Sequence, residues 1–176
     1  MTKKKQLLLL CGILAALLIL YFLANTYAGH REAAQSEAAQ ELAVTALDKD
    51  RITSLSYTSG DDTCSFYLEE DTWMYAEDDS LSLQQDYVQA LIDLASSITG
   101  LKKVESPDAL SDYGLDDPSY IVVIQTDDGD ETEIRYGGMT VSGDYYVTAD
   151  NGETIFTADS TLPELLTFDE DQLSQS

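Results

Sequence analysis

The sequence predicts an α+β domain of antiparallel β-hairpins and a meander with two packed helices, preceded by one transmembrane helix and a helical stalk. Three observations carry this reading. From Ile52 onward, short segments rich in Val, Ile, Tyr, Phe and Thr alternate with acidic or glycine-containing turns. Tyr87, Leu91, Leu94 and Ile98 recur at helical spacing, and an uncharged apolar run lies near the start.

That run, Leu7 to Ala24, spans roughly 27 Å as a helix at about 1.5 Å per residue, enough for a bilayer's hydrocarbon core. Lys3, Lys4 and Lys5 precede it and favour a cytoplasmic N-terminus, which puts the remainder on the extracytoplasmic side of the cell membrane as a single-pass protein with a signal anchor. A cleaved signal peptide is the competing reading. Thr26-Tyr27-Ala28 departs from a small-x-small cleavage site, and Leu10 before Cys11 departs from a lipoprotein site. The expected organisation is 1–28 basic start and anchor, 29–49 helical stalk, 50–168 acidic domain and 169–176 polar tail.

Six basic residues face 33 acidic ones beyond the anchor, a formal charge of −27. Such a charge repels phosphate backbones and excludes nucleic acid as a partner. Cys64 is the one cysteine beyond the apolar run, so no internal disulfide framework forms, and it is expected to pack as a small apolar residue in a strand.

The elements follow in order. Residues 29–47, rich in Ala, Glu and Gln, read as a stalk, whose small-residue stripe at Ala34, Ala38 and Leu42 leaves the oligomeric state open. ITSLSYT, TCSFYLEE and TWMYA form a meander, with turns at Gly60-Asp61-Asp62 and Glu70-Asp71 and with Cys64, Phe66 and Leu68 on one face. The helix that follows starts at a capping box, Asp86 with Gln89 or Ser82 with Gln85, and stops at Gly100. Leu101 to Val104 continue as a short extended segment holding Lys102-Lys103, the only adjacent basic pair beyond the apolar run.

YIVVIQT reads as a strand covered on both faces. ETEIRYGG alternates after a turn at Asp128-Gly129, and Asn151-Gly152 joins a further hairpin. Thr161 with Glu164 caps a short last helix carrying Leu162, Leu165 and Leu166, and the residues from Asp169 are expected to fray. Residues 52–94 and 121–166 run through similar elements, as two ββ(β)α halves would.

His30, the only histidine, lies at the membrane end of the stalk, which removes triad-type nucleophilic catalysis and ordinary zinc sites. No phosphate loop or dinucleotide fingerprint is present, and no cofactor is expected. Asp127, Asp128, Asp130 and Glu131 are calcium candidates by their hard oxygens around Gly129, although they lack the twelve-residue loop and its terminal bidentate Glu. Trp73 and the tyrosines serve either a core or an exposed sugar- or peptide-binding surface.

Trp73 after an acidic hairpin, the 86–97 helix and Tyr113-Gly114-Leu115-Asp116-Asp117-Pro118 stand with Gly137-Gly138, Tyr145-Tyr146-Val147 and Ile155-Phe156. Together they resemble the domain of unknown function 4340 family over about residues 50 to 167, with Gly138 and Tyr146 among the signature positions. In the Tyr-Gly-Leu-Asp-x-Pro element, Gly114 is expected to take a positive φ, Leu115 to pin the turn to the core and Pro118 to hold Asp117 extended. Some members are grouped with auxiliary components of gliding-type ABC transporters, and the resemblance transfers no activity. The expected function is a non-enzymatic binding or assembly module with a protein partner in the cell envelope, accessory to an ABC-type transporter. The alternative is an extracellular carbohydrate- or peptide-binding protein or a carboxylate-dependent hydrolase.

Overall fold

The computed structural model describes residues 41–174. The apolar run, the lysines at 3–5 and most of the proposed stalk lie outside that range. Among the described residues no helix is long and apolar enough to cross a membrane.

Eight strands form one antiparallel sheet. They are β1 (Ile52–Ser59), β2 (Asp62–Glu69), β3 (Thr72–Tyr75), β4 (Lys102–Lys103), β5 (Tyr120–Thr126), β6 (Glu131–Met139), β7 (Tyr145–Thr148) and β8 (Phe156–Ala158). Their spatial order is β3-β2-β1-β5-β6-β7-β8-β4. The meanders β1–β3 and β5–β8 therefore run outward from a central β1–β5 pair, in which Leu55 faces Ile124 and Tyr57 faces Val122. The similarity of the halves is one of element order only. The second carries an extra strand, and its helix has five residues against twelve in the first.

The strands are short because turn residues stop them. Glu70 and Asp71 both take positive φ between β2 and β3, and Gly129 does so between β5 and β6. Asn151 and Gly152 do so between β7 and β8, although the ladder opens there into a longer loop than a two-residue hairpin.

One sheet face carries the core. Leu55, Tyr57, Phe66, Val122, Ile124, Ile134, Tyr136 and Val147 are buried there under helix α1 (Gln85–Ser96) and under Leu162 of α2 (Thr161–Leu165). Each such side chain contributes roughly 1.5–3 kcal/mol when fully removed from water. Cys64 packs in this core as a small apolar residue, and burial pushes its thiol pKa up. The β5 strand is not covered on both faces. Val122 and Ile124 are buried, whereas Ile121 and Val123 stay half-exposed beside Ser56, Thr58, Glu133 and Arg135. A continuous apolar run thus hides a one-sided strand.

Helix α1 departs from its expected start and face. Its N-cap is Gln84, without a side-chain cap, and neither capping box forms because Gln85 is engaged elsewhere and Gln89 donates to Asp93 at 3.3 Å. Its buried face is Val88, Leu91, Ile92 and Ala95, while Tyr87 and Leu94 flank it. It ends at Ser96, four residues before Gly100.

The stalk expectation fails from Leu42 onward, where the chain belongs to the same compact unit as the sheet. Val44 N–H and Leu47 N–H donate to the Ile98 and Ser96 carbonyls at 2.9 and 2.8 Å. Thr45 Oγ1 donates to the Ala95 carbonyl at 2.7 Å and accepts from Ile98 N–H at 2.8 Å. Carbonyls at a helix C-terminus have no intrahelical partner, and this segment supplies partners from about fifty residues away.

Residues 169–174 of the tail also belong to the fold. Asp169 caps α3 (Glu170–Leu173), Leu173 is fully buried, and Gln84 N–H donates to the Leu173 carbonyl at 2.8 Å. One apolar side chain with a place in the core outweighs the polarity of its neighbours. The capping of α2 shifts by one residue, with Ser160 at the N-cap and its hydroxyl donating to Glu164.

Candidate functional site

Residues 104–118 cross the outer face of the sheet over β6 and β7. A 3₁₀ turn at Leu110–Tyr113 ends at Gly114, which has φ 68° and ψ 19° as expected, and Leu115 after it is fully buried, though apart from the core cluster to which the turn reading assigned it. Backbone packs on backbone here. A methyl group on Gly114 would sit 2.8 Å from Gly138 N, and one on Gly137 would sit 2.3 Å from the Tyr113 carbonyl oxygen. Ser119 Oγ also donates to the Gly137 carbonyl at 3.1 Å. The register of β6 and β7 shifts between Tyr136 and Met139, which accommodates the crossing.

This crossing holds Tyr113 against Tyr146, with ring centroids 5.0 Å apart and planes at 66°. Tyr113 Oη accepts from Asp108 N–H at 3.1 Å. Beside the ring pair, Tyr146 of β7 faces Thr157 of β8, which faces Lys102 of β4, so three polar side chains stand in one cross-strand row. With Val104, Glu105 and Tyr113 they line an open groove of about 400 Å³. Among the described residues, Lys49 pairs with Asp93, Arg51 with Asp127 and Asp128, and Arg135 with Glu133. Lys102 and Lys103 are the described cations outside any ion pair, and the Tyr146 and Thr157 hydroxyls make no hydrogen bond there.

The signature positions divide between two places. Tyr113, Gly114, Leu115, Gly138 and Tyr146 converge at the crossing, and Asp116 and Pro118 follow on the same segment. Trp73 stands on β3, the opposite edge strand of the sheet. There a cleft of about 410 Å³ is lined by Trp73, Asp50, Asp71, Asp86 and Gln89. Trp73 is only 7 % exposed and belongs to the core, so its ring is not offered to a ligand.

Two of the four calcium candidates, Asp127 and Asp128, are otherwise occupied. Arg51 reaches Asp127 at 2.8 Å and Asp128 at 2.7 Å, and Thr126 Oγ1 donates to Asp128 at 2.5 Å. These partners hold the Asp128 carboxyl at a pKa of about 2, with a cation already in place. Asp130 and Glu131 remain exposed across the turn. No group of three or more potential metal-ligating side chains occurs among the described residues.

Sequence reasoning reached Tyr113 and Tyr146 as turn and strand residues and Lys102 as part of a basic pair, but missed Glu105 and Thr157. The available signal was Lys102-Lys103 itself, a basic pair surviving in a strongly acidic chain.

Fold and groove together define an α+β domain with a single antiparallel sheet, helices on one face and a glycine-clamped crossing on the other. Residues 73–175 match the family described as a domain of unknown function (DUF4340), over half of the chain, and the protein belongs to that family. No curated protein and no solved structure matches the chain.

Proposed function

We propose that this protein is a non-enzymatic binding module, tethered by residues 7–24 to the cell membrane with its acidic domain outside, which positions a protein partner of the envelope. An ABC-type export complex is the partner class that the family resemblance implies. The observation that carries the reading is the contrast between closed sheet edges and an open groove. At one edge Gln85 occupies the backbone N–H and carbonyl of Trp73 in the four-residue β3, and at the other β4 is only two residues long and carries two lysines, the ordinary protections against strand addition. Recognition is therefore assigned to the face, where the aromatic pair and unengaged polar groups stand open.

Photocrosslinking from position 105 in intact cells tests this, with position 61 at a distant turn as control. One reproducible protein adduct from 105 and none from 61 is expected. No adduct from either position, or protection of the domain from protease added outside intact cells, would remove the proposal.

The acids of the Trp73 cleft favour the second reading, a carbohydrate-binding protein or carboxylate-dependent hydrolase. With the indole buried, that cleft lacks a stacking platform, which ranks this reading below the first.

A further inference from the structure

We propose that the groove at Lys102 is a carboxylate-binding subsite that takes one carboxylate of a polypeptide segment, its neighbouring apolar side chain resting on the Tyr113–Tyr146 pair. This rests on the binding-module reading and names the chemistry of the same site. Lys102, Thr157 and Tyr146 bring an ammonium and two hydroxyls into one row on adjacent strands, all able to donate and none engaged within the described protein. The row lines a groove of about 400 Å³, within the usual range for a small ligand group and its flanks.

Charge selects among anions. Glu105 lines the same groove as the ammonium, so the immediate field is close to neutral, and the chain as a whole carries a formal −24. Glu105 repels any anion here, a phosphate or sulfate dianion about twice as strongly as a carboxylate, so a single negative charge set against Lys102 is the anion the groove accommodates best. Glu105 and Lys102 form no ion pair although both line the groove, which leaves the ammonium available to an incoming group.

An unpaired lysine on an edge strand also serves against self-association. That role explains Lys103 as well as Lys102, but it does not account for the row of hydroxyls or for the aromatic pair held beside it by a glycine-clamped crossing.

Calorimetric titration of the purified full chain decides the matter with four probes. They are acetyl-Gly-Ala-Phe with a free carboxylate, its C-terminal amide, acetyl-Ala-Asp-Ala-amide and glucuronate. Either carboxylate peptide should bind, the first marking a chain terminus and the second an acidic side chain as the source. The amide should bind about tenfold or more weakly, as expected when a charge-assisted contact is lost. Lys102→Met, which keeps the apolar stem of an exposed side chain, should weaken the carboxylate peptide by a similar factor and leave the amide unchanged. Lys102→Arg should retain most of the affinity. Equal binding of acid and amide, no binding of either peptide at millimolar concentration, or preference for glucuronate would overturn the subsite. Should the crosslink from position 105 form in the unmutated protein while neither carboxylate peptide binds it, the subsite falls and the binding-module reading stands.

Discussion

The carboxamide of Gln85 spans the main chain of Trp73: its Oε1 accepts from the Trp73 N–H at 2.9 Å and its Nε2 donates to the Trp73 carbonyl at 2.9 Å. A side chain on α1 thereby takes the place that a neighbouring strand would fill. It satisfies the backbone N–H and carbonyl of one residue of an edge strand and ties the helix start to the sheet. Trp73 then has its backbone fixed by one partner and its ring by the core.

Replacing Gln85 with Ala should destabilise the protein by about 1–3 kcal/mol, since a partly buried donor and acceptor both lose their partner. Gln85→Glu keeps the acceptor for Trp73 N–H but cannot donate to its carbonyl when ionised, so it should fall between Ala and wild type. Urea midpoints of the three proteins check the order, and equal midpoints for Ala and wild type would contradict it.

The glycine crossing makes a graded prediction. Gly60 has φ 59° with open space around it, so Gly60→Ala costs only the left-handed conformation, roughly 1–2 kcal/mol. Gly114→Ala adds the 2.8 Å approach to Gly138 N, and Gly137→Ala sets a methyl 2.3 Å from the Tyr113 carbonyl oxygen. Gly114→Ala should exceed Gly60→Ala by about 1–3 kcal/mol through overpacking against backbone, and Gly137→Ala, which carries no left-handed cost, should lose at least about 1–3 kcal/mol from overpacking alone, both measured as unfolding free energy.

Leu173→Ala should cost about 2–5 kcal/mol, as other fully buried leucines do. Truncation after Phe168 should be at least as harmful, because Gln84 also loses the backbone carbonyls of Gln172, Leu173 and Ser174. Chemical denaturation of both variants distinguishes this from a frayed tail, which would leave the midpoint unchanged.

Asp128 sets an acid-side pH dependence. Its folded pKa is depressed from 3.8 to about 2 by the Thr126 hydroxyl and Arg51, so the unfolded chain takes up its proton first as pH falls. The stabilisation is fully present above the unfolded value and is lost as pH drops through the folded one. The gap in urea midpoint between wild type and Asp128→Asn should therefore be constant above about pH 5 and shrink toward about pH 2. A gap independent of pH over that window would show that the carboxylate charge is not what Arg51 and Thr126 stabilise.

Local patterns made much of the fold legible. Alternation placed β2 and β6, positive-φ turn residues marked the hairpins at Glu70-Asp71 and Gly129, and Gly114 took the positive φ its place in the turn suggested. The groove was less legible, because Tyr146, Thr157 and Lys102 are neighbours only through strand register, and Tyr113 joins them only through the crossing.

By itself, the sequence determined the α+β class, most strand and turn positions, the strong acidity and the family signature, properties carried by composition and by residues near one another along the chain. Tertiary structure alone decided which polar side chains remain unengaged, that Arg51 takes the acids of the 127–128 turn, that Thr45 closes the end of α1, and that Leu173 belongs to the core. Those outcomes depend on partners distant along the chain, brought together by strand register and by the burial of a shared apolar face, and one-dimensional periodicity carries no record of that pairing.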